Sequence, residues 1–369
     1  MHDFMFPGVG IPVVMAIPGS RVVLTLAENR LSATADSGRH ALALSRSTGT
    51  SSRPPTFASS AHFSLTFAHF CPNSSDAGAS FAAVVNIYND SAGTIDGLNL
   101  GAAVWDAKRA RLSVLFNECF HLNAVGKGGC GPSGQLLQID TEDEGVTWGA
   151  VTNHTASLLA QGYKQLNPGP GTGVQLQFQT DKSKNGRLIM PAWGSKTADQ
   201  KGTQTRAFVL ISEPSTAAAD TPWRAVLVPP DPPVHVPNEL QCAELPDGKV
   251  VLNVRSGNSN LRLLSVSSDG GDTWTPLALS PSMGEQAICQ GSMIAVGDVL
   301  FYSHPFHATA RGDGWIKFSL DQGSTWFPWA QVDPNSFGYS GLTLVSSNTS
   351  HVMLGVVWES GTGIAWKTV

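Results

Sequence analysis

Three octapeptides share the pattern Ser/Thr-x-Asp-x-Gly-x-Thr-Trp: Thr141–Trp148, Ser267–Trp274 and Ser319–Trp326. Five shared positions, one of them a tryptophan in a chain holding only 10, make chance recurrence implausible. The residue types describe a hairpin turn. A carboxylate accepts backbone N–H groups, glycine supplies positive φ, and the indole wedges into the core between neighbouring sheets. Asp269 and Asp321 stand 52 residues apart, close to the roughly 40–50 residues of a four-stranded propeller blade. Asp143 and Asp269 stand 126 apart, enough for two blades. Degenerate copies at Ser45–Pro54, after Ala41–Leu44, and at Ser212–Trp223, after Phe208–Ile211, complete the series. The acidic run from Asp140 also resembles the start of a calcium loop, but Val151 stands where the twelfth ligand must be Glu.

Between these turns the chain reads as short strands. Alternating or β-branched stretches occur at Arg21–Leu26, Ala82–Ile87, Gly101–Trp105, Leu112–Phe116, Arg206–Ile211, Lys249–Asn253, Leu261–Val266, Val299–Tyr302 and His351–Val357. Helical periodicity of any length is lacking, and Ser215–Thr221 is too short to supply it. Gly (38) and Pro (23) punctuate a chain that is 41% hydrophobic, which fits an all-β fold. Only 14% of residues are charged, against about 25% in an average soluble protein. The net charge of -5 argues against a generic nucleic-acid binder. The longest apolar run, Ile11–Ile17, falls far short of a transmembrane helix and contains Pro12.

Five cysteines do not imply a disulfide framework. Cys119 and Cys130 flank a glycine-rich turn and can pair in an oxidising compartment, though free thiols fit equally well. Sequons at Asn73, Asn89, Asn153 and Asn348 are near what chance supplies. No signal peptide is visible. Localisation stays open: secreted or lysosomal if the N-terminus is incomplete, cytoplasmic otherwise.

The repeated octapeptides resemble the Asp boxes of sialidases, and further segments resemble that family of six-bladed propellers. Ala27-Glu-Asn-Arg30 with Asp36 resembles the loop holding the family's acid/base. Pro168–Gln175, with Gly186–Pro191, resembles a stretch lining the central cavity. Asn238-Glu-Leu-Gln241 and Asn253-Val-Arg-Ser256 resemble the strand pair carrying a catalytic Glu and an Arg. Arg311, Tyr339-Ser340 and Trp358-Glu359 follow in the family's order. The resemblance runs from residue 10 to 366 and implies a single six-bladed β-propeller domain over residues 1–369, acting without a cofactor.

The chemistry has its own logic. A sialic acid carries a carboxylate on its anomeric carbon, and planar arginine binds such an anion at two points. A carboxylate nucleophile would meet a like charge there, at roughly 4 kcal/mol for 4 Å and an effective dielectric near 20. A neutral tyrosine avoids this repulsion, provided an adjacent carboxylate takes its proton. By resemblance Tyr339 is the nucleophile, Glu239 its base and Asp36 the acid/base. Arg255 and Arg311 hold the substrate carboxylate, Arg30 sits beside Asp36 and contacts substrate, and Gln175 shapes the cavity. Two bland alternatives hold for these residues, a packed ring for Tyr339 and turn or loop roles for Asp36 and Arg311. The substrates implied are sialylated oligosaccharides, glycoproteins or glycolipids.

One position departs from the family. Its first arginine, just before Ile-Pro, is replaced by Gly10, while Glu359 matches the residue that steadies that arginine. Three readings follow: a weakened or inactive lectin-like protein, a ligand without that carboxylate, or another group in the arginine's place. Arg21 is too far along the chain to be that group, and restoring arginine at position 10 is expected to lower KM. A propeller scaffold using only its Asp boxes is the remaining alternative. Gly169, Gly171 and Gly173 lack the spacing and following helix of a dinucleotide loop, and His304 and His307 read as structural. No Gly-x-Ser-x-Gly element occurs.

Overall fold

The computed structural model describes residues 5–7, 9–20, 22–30, 40–48, 81, 83–89, 98–118, 134–199, 205–214, 222–230, 233–348, 351–361 and 363–369. Strand β1 (Met5–Pro7) stands apart from the strands that follow it. Blade I is β2 (Val9–Ala16), β3 (Val22–Arg30), β4 (His40–Thr48) and β5 (Val85–Asn89), ordered outward from the axis. Blade II is β6 (Leu98–Asp106), β7 (Arg111–Glu118), β8 (Gln135–Thr141) and β9 (Thr152–Asn153). A short helix, α1 (Thr155–Ala160), leads into blade III. There β10 (Tyr163–Pro168) gives way to β11 (Gly171–Thr172), which crosses to pair in parallel with β6. The chain then returns as β12 (Val174–Gln175), and β13 (Leu188–Lys196), β14 (Arg206–Ser212) and β15 (Arg224–Leu227) complete the blade.

Blade IV is β16 (Pro237–Glu244), β17 (Val250–Ser256), β18 (Arg262–Ser267) and β19 (Ala278–Ser280). Blade V is β20 (Ser292–Val296), β21 (Val299–Pro305), β22 (Gly314–Ser319) and β23 (Phe327–Asp333). Blade VI runs β24 (Ser340–Ser347), β25 (Val352–Ser360) and β26 (Gly363–Thr368), with β1 as its outermost strand. Met5 pairs with Ala365 and Pro7 with Gly363. The protein is thus an all-β, six-bladed propeller whose last blade is closed by its first strand.

Each of the apolar clusters spans one blade boundary. Leu24, Leu26 and Leu44 meet Leu100, Val114 and Phe116 between blades I and II. Equivalent seams join II to III, III to IV, IV to V, V to VI and VI back to I. A blade is therefore hydrophobic on both faces, which is why its strands show runs such as Ala207–Ile211 in place of strict alternation.

The three octapeptides sit between the third and fourth strands of blades II, IV and V. In the second, Asp269 accepts the Thr273 backbone N–H at 2.9 Å and the Thr273 hydroxyl at 2.6 Å. Ser267 Oγ accepts the Gly271 N–H at 2.8 Å, and the Trp274 indole donates to the Gly271 carbonyl at 3.0 Å. The bonds to the carboxylate and to the Ser/Thr hydroxyl recur around Asp143 and Asp321, and the indole bond recurs at Trp326. Asp272 adds an inter-blade cluster, receiving Lys184 at 2.7 Å, Arg187 at 3.1 Å and also Arg224. Against the desolvation of burial, these cations hold its carboxyl down at about 2. The degenerate copies begin within β4, at Ser45, and at the end of β14, at Ser212. Parts of both, together with Cys71, Cys119, Cys130 and Asp36, lie outside the described residues.

Candidate active site

The inner strands β2, β16 and β24 begin, and the second strands β3, β17 and β25 end, at the same mouth of the propeller. Antiparallel hairpins therefore deliver their terminal side chains to one rim. Glu239 stands near the start of β16 and Arg255 near the end of β17. Tyr339 immediately precedes β24, Glu359 lies near the end of β25, and Arg30 ends β3. Arg311 lies in the loop joining β21 and β22.

These groups converge. The Tyr339 phenol donates to Glu239 Oε1, and Arg255 Nη1 pairs with Glu239 Oε2. Arg255 Nη1 also lies 3.4 Å from the Tyr339 oxygen. The Arg311 guanidinium carbon stands 5.2 Å from the centroid of the Tyr339 ring, within cation–π range. Glu359 supports the same tyrosine from behind: its N–H donates to the Tyr339 carbonyl at 2.8 Å, and its Oε1 accepts the Ile11 N–H at 2.8 Å. A Cβ on Gly338 would fall 2.8 Å from Glu359 Oε2, so glycine is what lets the chain pass this close.

Electrostatics follow from burial. Desolvation foremost, then the charge of Glu239 and the Cys289 thiol, push the Tyr339 phenol well above its usual range. The resting phenol is protonated and already bonded to its acceptor. Burial alone would lower Arg255, but Glu239 and Tyr339 outweigh it and keep the guanidinium firmly charged. Arg311 is likewise raised despite its desolvation, through Cys289, Tyr339 and Glu359. Burial raises the Glu359 carboxyl, opposed by the Ile11 N–H and by Arg30 and Arg311.

Arg30 reaches this mouth by an unexpected route. Its guanidinium lies against the α-carbon of Gly10, where an added Cβ would sit 2.5 Å from Nη2. Behind it, Glu28 Oε2 is 3.7 Å away, while Glu28 Oε1 accepts the Leu100 N–H at 2.8 Å.

Gln175 is the correction. Along the inner edge of blade III, Tyr163 pairs with Lys196 at one end of β13 and Gln175 pairs with Leu188 at the other. Gln175 thus belongs to the opposite mouth, where it donates to Asp106 Oδ1 at 2.7 Å and accepts the Ala107 N–H at 2.9 Å. The segment from Pro168 to Gln175 descends the length of the blade and cannot present both ends to one pocket. His307 accepts the Thr309 and Ala310 N–H groups at 3.2 and 2.9 Å, shaping the loop that carries Arg311. His304 is fully buried, stacked on Tyr302 at 4.7 Å.

Several supporting residues have no conspicuous sequence signal. Gln290 accepts the Ser340 N–H at 2.9 Å and donates to the Ser340 carbonyl at 3.0 Å, fixing the residue after Tyr339. Arg262, wholly buried in blade IV, donates to Asn253 Oδ1 at 2.7 Å and to the Cys289 carbonyl at 2.9 Å. Cys289 lies beneath the site, close enough to feel Arg311, Glu239, Arg255 and Glu359. A polar residue inside a mostly apolar stretch is the only hint that any of them gives.

A family model described as a BNR repeat-like domain matches residues 109–352. A sialidase of Bacteroides fragilis is 26% identical over 242 residues, covering 61% of this chain and 39% of that protein. One of Micromonospora viridifaciens is 30% identical over 237 residues, covering 61% of this chain and 33% of its own length. The matches thus span a third to two fifths of these relatives. Among solved structures, the Hadza microbial sialidase Hz136 superposes with a TM-score of 0.72 at 21% identity, over 98% of this chain and 65% of that one. The intramolecular trans-sialidase from Ruminococcus gnavus, in complex with oseltamivir carboxylate, gives 0.69 at 16% identity, over 98% and 94%. These superpositions agree with the six-bladed architecture.

Proposed function

The chain belongs to the BNR repeat-like domain family, and from that premise we propose that it is a retaining exo-α-sialidase. Its substrates are terminal sialic or related nonulosonic acids on oligosaccharides, glycoproteins or glycolipids. The observation that carries this reading is the contact of Tyr339, Glu239 and Arg255 at one mouth, beside relatives that are sialidases.

In the first step the Tyr339 oxygen bonds to the anomeric carbon and its proton passes to Glu239. The glycosidic C–O bond breaks as Asp36 gives a proton to the leaving oxygen. In the second step water attacks the same carbon, Asp36 takes its proton, and Tyr339 leaves with the proton held by Glu239. Two inversions give net retention. Arg255 and Arg311 bind the substrate carboxylate, and the neutral phenol approaches without like-charge repulsion.

Release of a fluorescent phenol from its α-sialoside tests the reading. Tyr339→Phe and Glu239→Gln should each lower kcat by a factor on the order of 10³ or more. Proton NMR should show the α-anomer of the free sugar first. A Tyr339→Phe enzyme with near wild-type kcat, or initial release of the β-anomer, refutes the mechanism. Glycan binding with no turnover at all refutes hydrolysis and leaves a lectin.

A further inference from the structure

Resting on the sialoside reading above, we infer that Arg30 supplies the third cation of the carboxylate clamp, from the space that Gly10 leaves open. The two residues sit on paired strands at the rim, Gly10 near the start of β2 and Arg30 at the end of β3. Any Cβ at position 10 would fall 2.5 Å from Arg30 Nη2, 2.7 Å from Cζ and 3.0 Å from Nε. The whole guanidinium therefore lies over the glycine, and its position depends on the missing side chain.

Two carboxylates fix where its charge acts. Glu28, itself held by the Leu100 N–H, stands behind Arg30 at 3.7 Å. Glu359, held by the Ile11 N–H, feels both Arg30 and Arg311. The fields of these two arginines thus overlap at one carboxylate, on the residue bonded to the Tyr339 backbone. An anionic group entering between Glu359 and the Tyr339 phenol would meet Arg30 and Arg311 on one side and Arg255 on the other. Of the three readings opened by Gly10, this geometry favours another group in the arginine's place. Arginine restored at position 10 alone would put two guanidinium groups into one volume, so the lowered KM expected for Gly10→Arg requires Arg30 to be removed as well.

Calorimetric binding of 2-deoxy-2,3-didehydro-N-acetylneuraminic acid and of its methyl ester tests this, because the ester lacks the anion. Arg30→Ala should weaken the acid about 30-fold or more and change the ester by less than about threefold. Gly10→Ala, which displaces the guanidinium without removing it, should weaken the acid about three- to tenfold. The double variant Gly10→Arg/Arg30→Ala should recover acid binding to within about tenfold of wild type. Equal losses for acid and ester in Arg30→Ala, or an unaffected Gly10→Ala, overturn the assignment of Arg30 while leaving the sialoside reading intact. A wild type that binds neither compound sinks the sialoside reading, and this inference with it.

Discussion

Tyr339 and Glu239 are 100 residues apart in sequence and two blades apart around the axis, yet the phenol of one donates directly to the carboxylate of the other. In the proposed mechanism the proton acceptor is therefore in place before substrate arrives, and Arg255 binds its second oxygen. Such prealignment removes the reorganisation that a mobile base would require.

The Tyr339 phenol, raised well above 10 by burial and by Glu239, should stay un-ionised across the neutral range. Absorbance titrations near 295 nm of wild type and Tyr339→Phe are expected to superimpose up to about pH 10. An additional tyrosinate in wild type below pH 9 would contradict this. In the proposed mechanism the phenolic proton then moves only during the reaction, and no rate limb below pH 10 should belong to this residue.

Lys317 offers a stability test. Its ammonium donates to the Met283 carbonyl at 2.6 Å and lies 3.9 Å from the Phe306 ring centroid, and burial brings it down to about 8 from 10.5. Between those values the unfolded chain binds a proton that the folded chain does not, so stability rises with pH through this window. Below pH 8 the group is charged in both states and its contribution is constant. In denaturant titrations the stability of wild type minus that of Lys317→Met should climb from pH 8 to about 10.5; a flat or falling difference would count against it.

Two glycines with positive φ separate backbone strain from packing. Gly271 has φ +90°, and a Cβ added there would fall 3.0 Å from Ile189 and 3.2 Å from Ile211, whereas Gly297 has φ +56° and open space around it. Gly297→Ala should cost about 1 kcal/mol of left-handed strain. Gly271→Ala should cost about 2–4 kcal/mol, because overpacking adds to strain. Equal losses in equilibrium unfolding would mean that the Asp-box turn is not wedged into the seam as described.

The thiols of Cys242 and Cys289 are buried, and desolvation pushes Cys289 up to about 12 and Cys242 higher still. Iodoacetamide at pH 8 should leave both unmodified in the native protein and alkylate both after denaturation. Peptide mass spectrometry reads each site separately. Rapid native labelling of Cys289 would show that solvent reaches the floor beneath Tyr339.

Most of the fold was legible because its signals are local. An Asp-box turn needs its carboxylate, glycine and tryptophan within eight residues, so three turns and their spacing fixed the blade length. The resemblance also named Tyr339, Glu239, Arg255 and Arg311, which stand at strand ends or in a loop and meet at one mouth. Gln175 failed for a geometric reason: a continuous motif on an inner edge crosses from one mouth to the other. The packing of Arg30 over Gly10 was hidden because it depends on the path of a long side chain between paired strands. Gln290 was silent because it acts through the Ser340 backbone, and Arg262 because its partners, the Asn253 side chain and the Cys289 carbonyl, lie on other segments and carry no local signature.

Blade VI draws its outer strand from residues 5–7 and its other three from residues 340–368. Translation at roughly 5–20 residues per second must therefore run through β26 before Tyr339 has a finished sheet to stand on. Earlier blades can settle as they emerge from the ribosome, but ligand recognition has to wait for that last stitch. A nascent chain stalled before β26 would hold Glu239 and Arg255 with no completed seat for their phenolic partner.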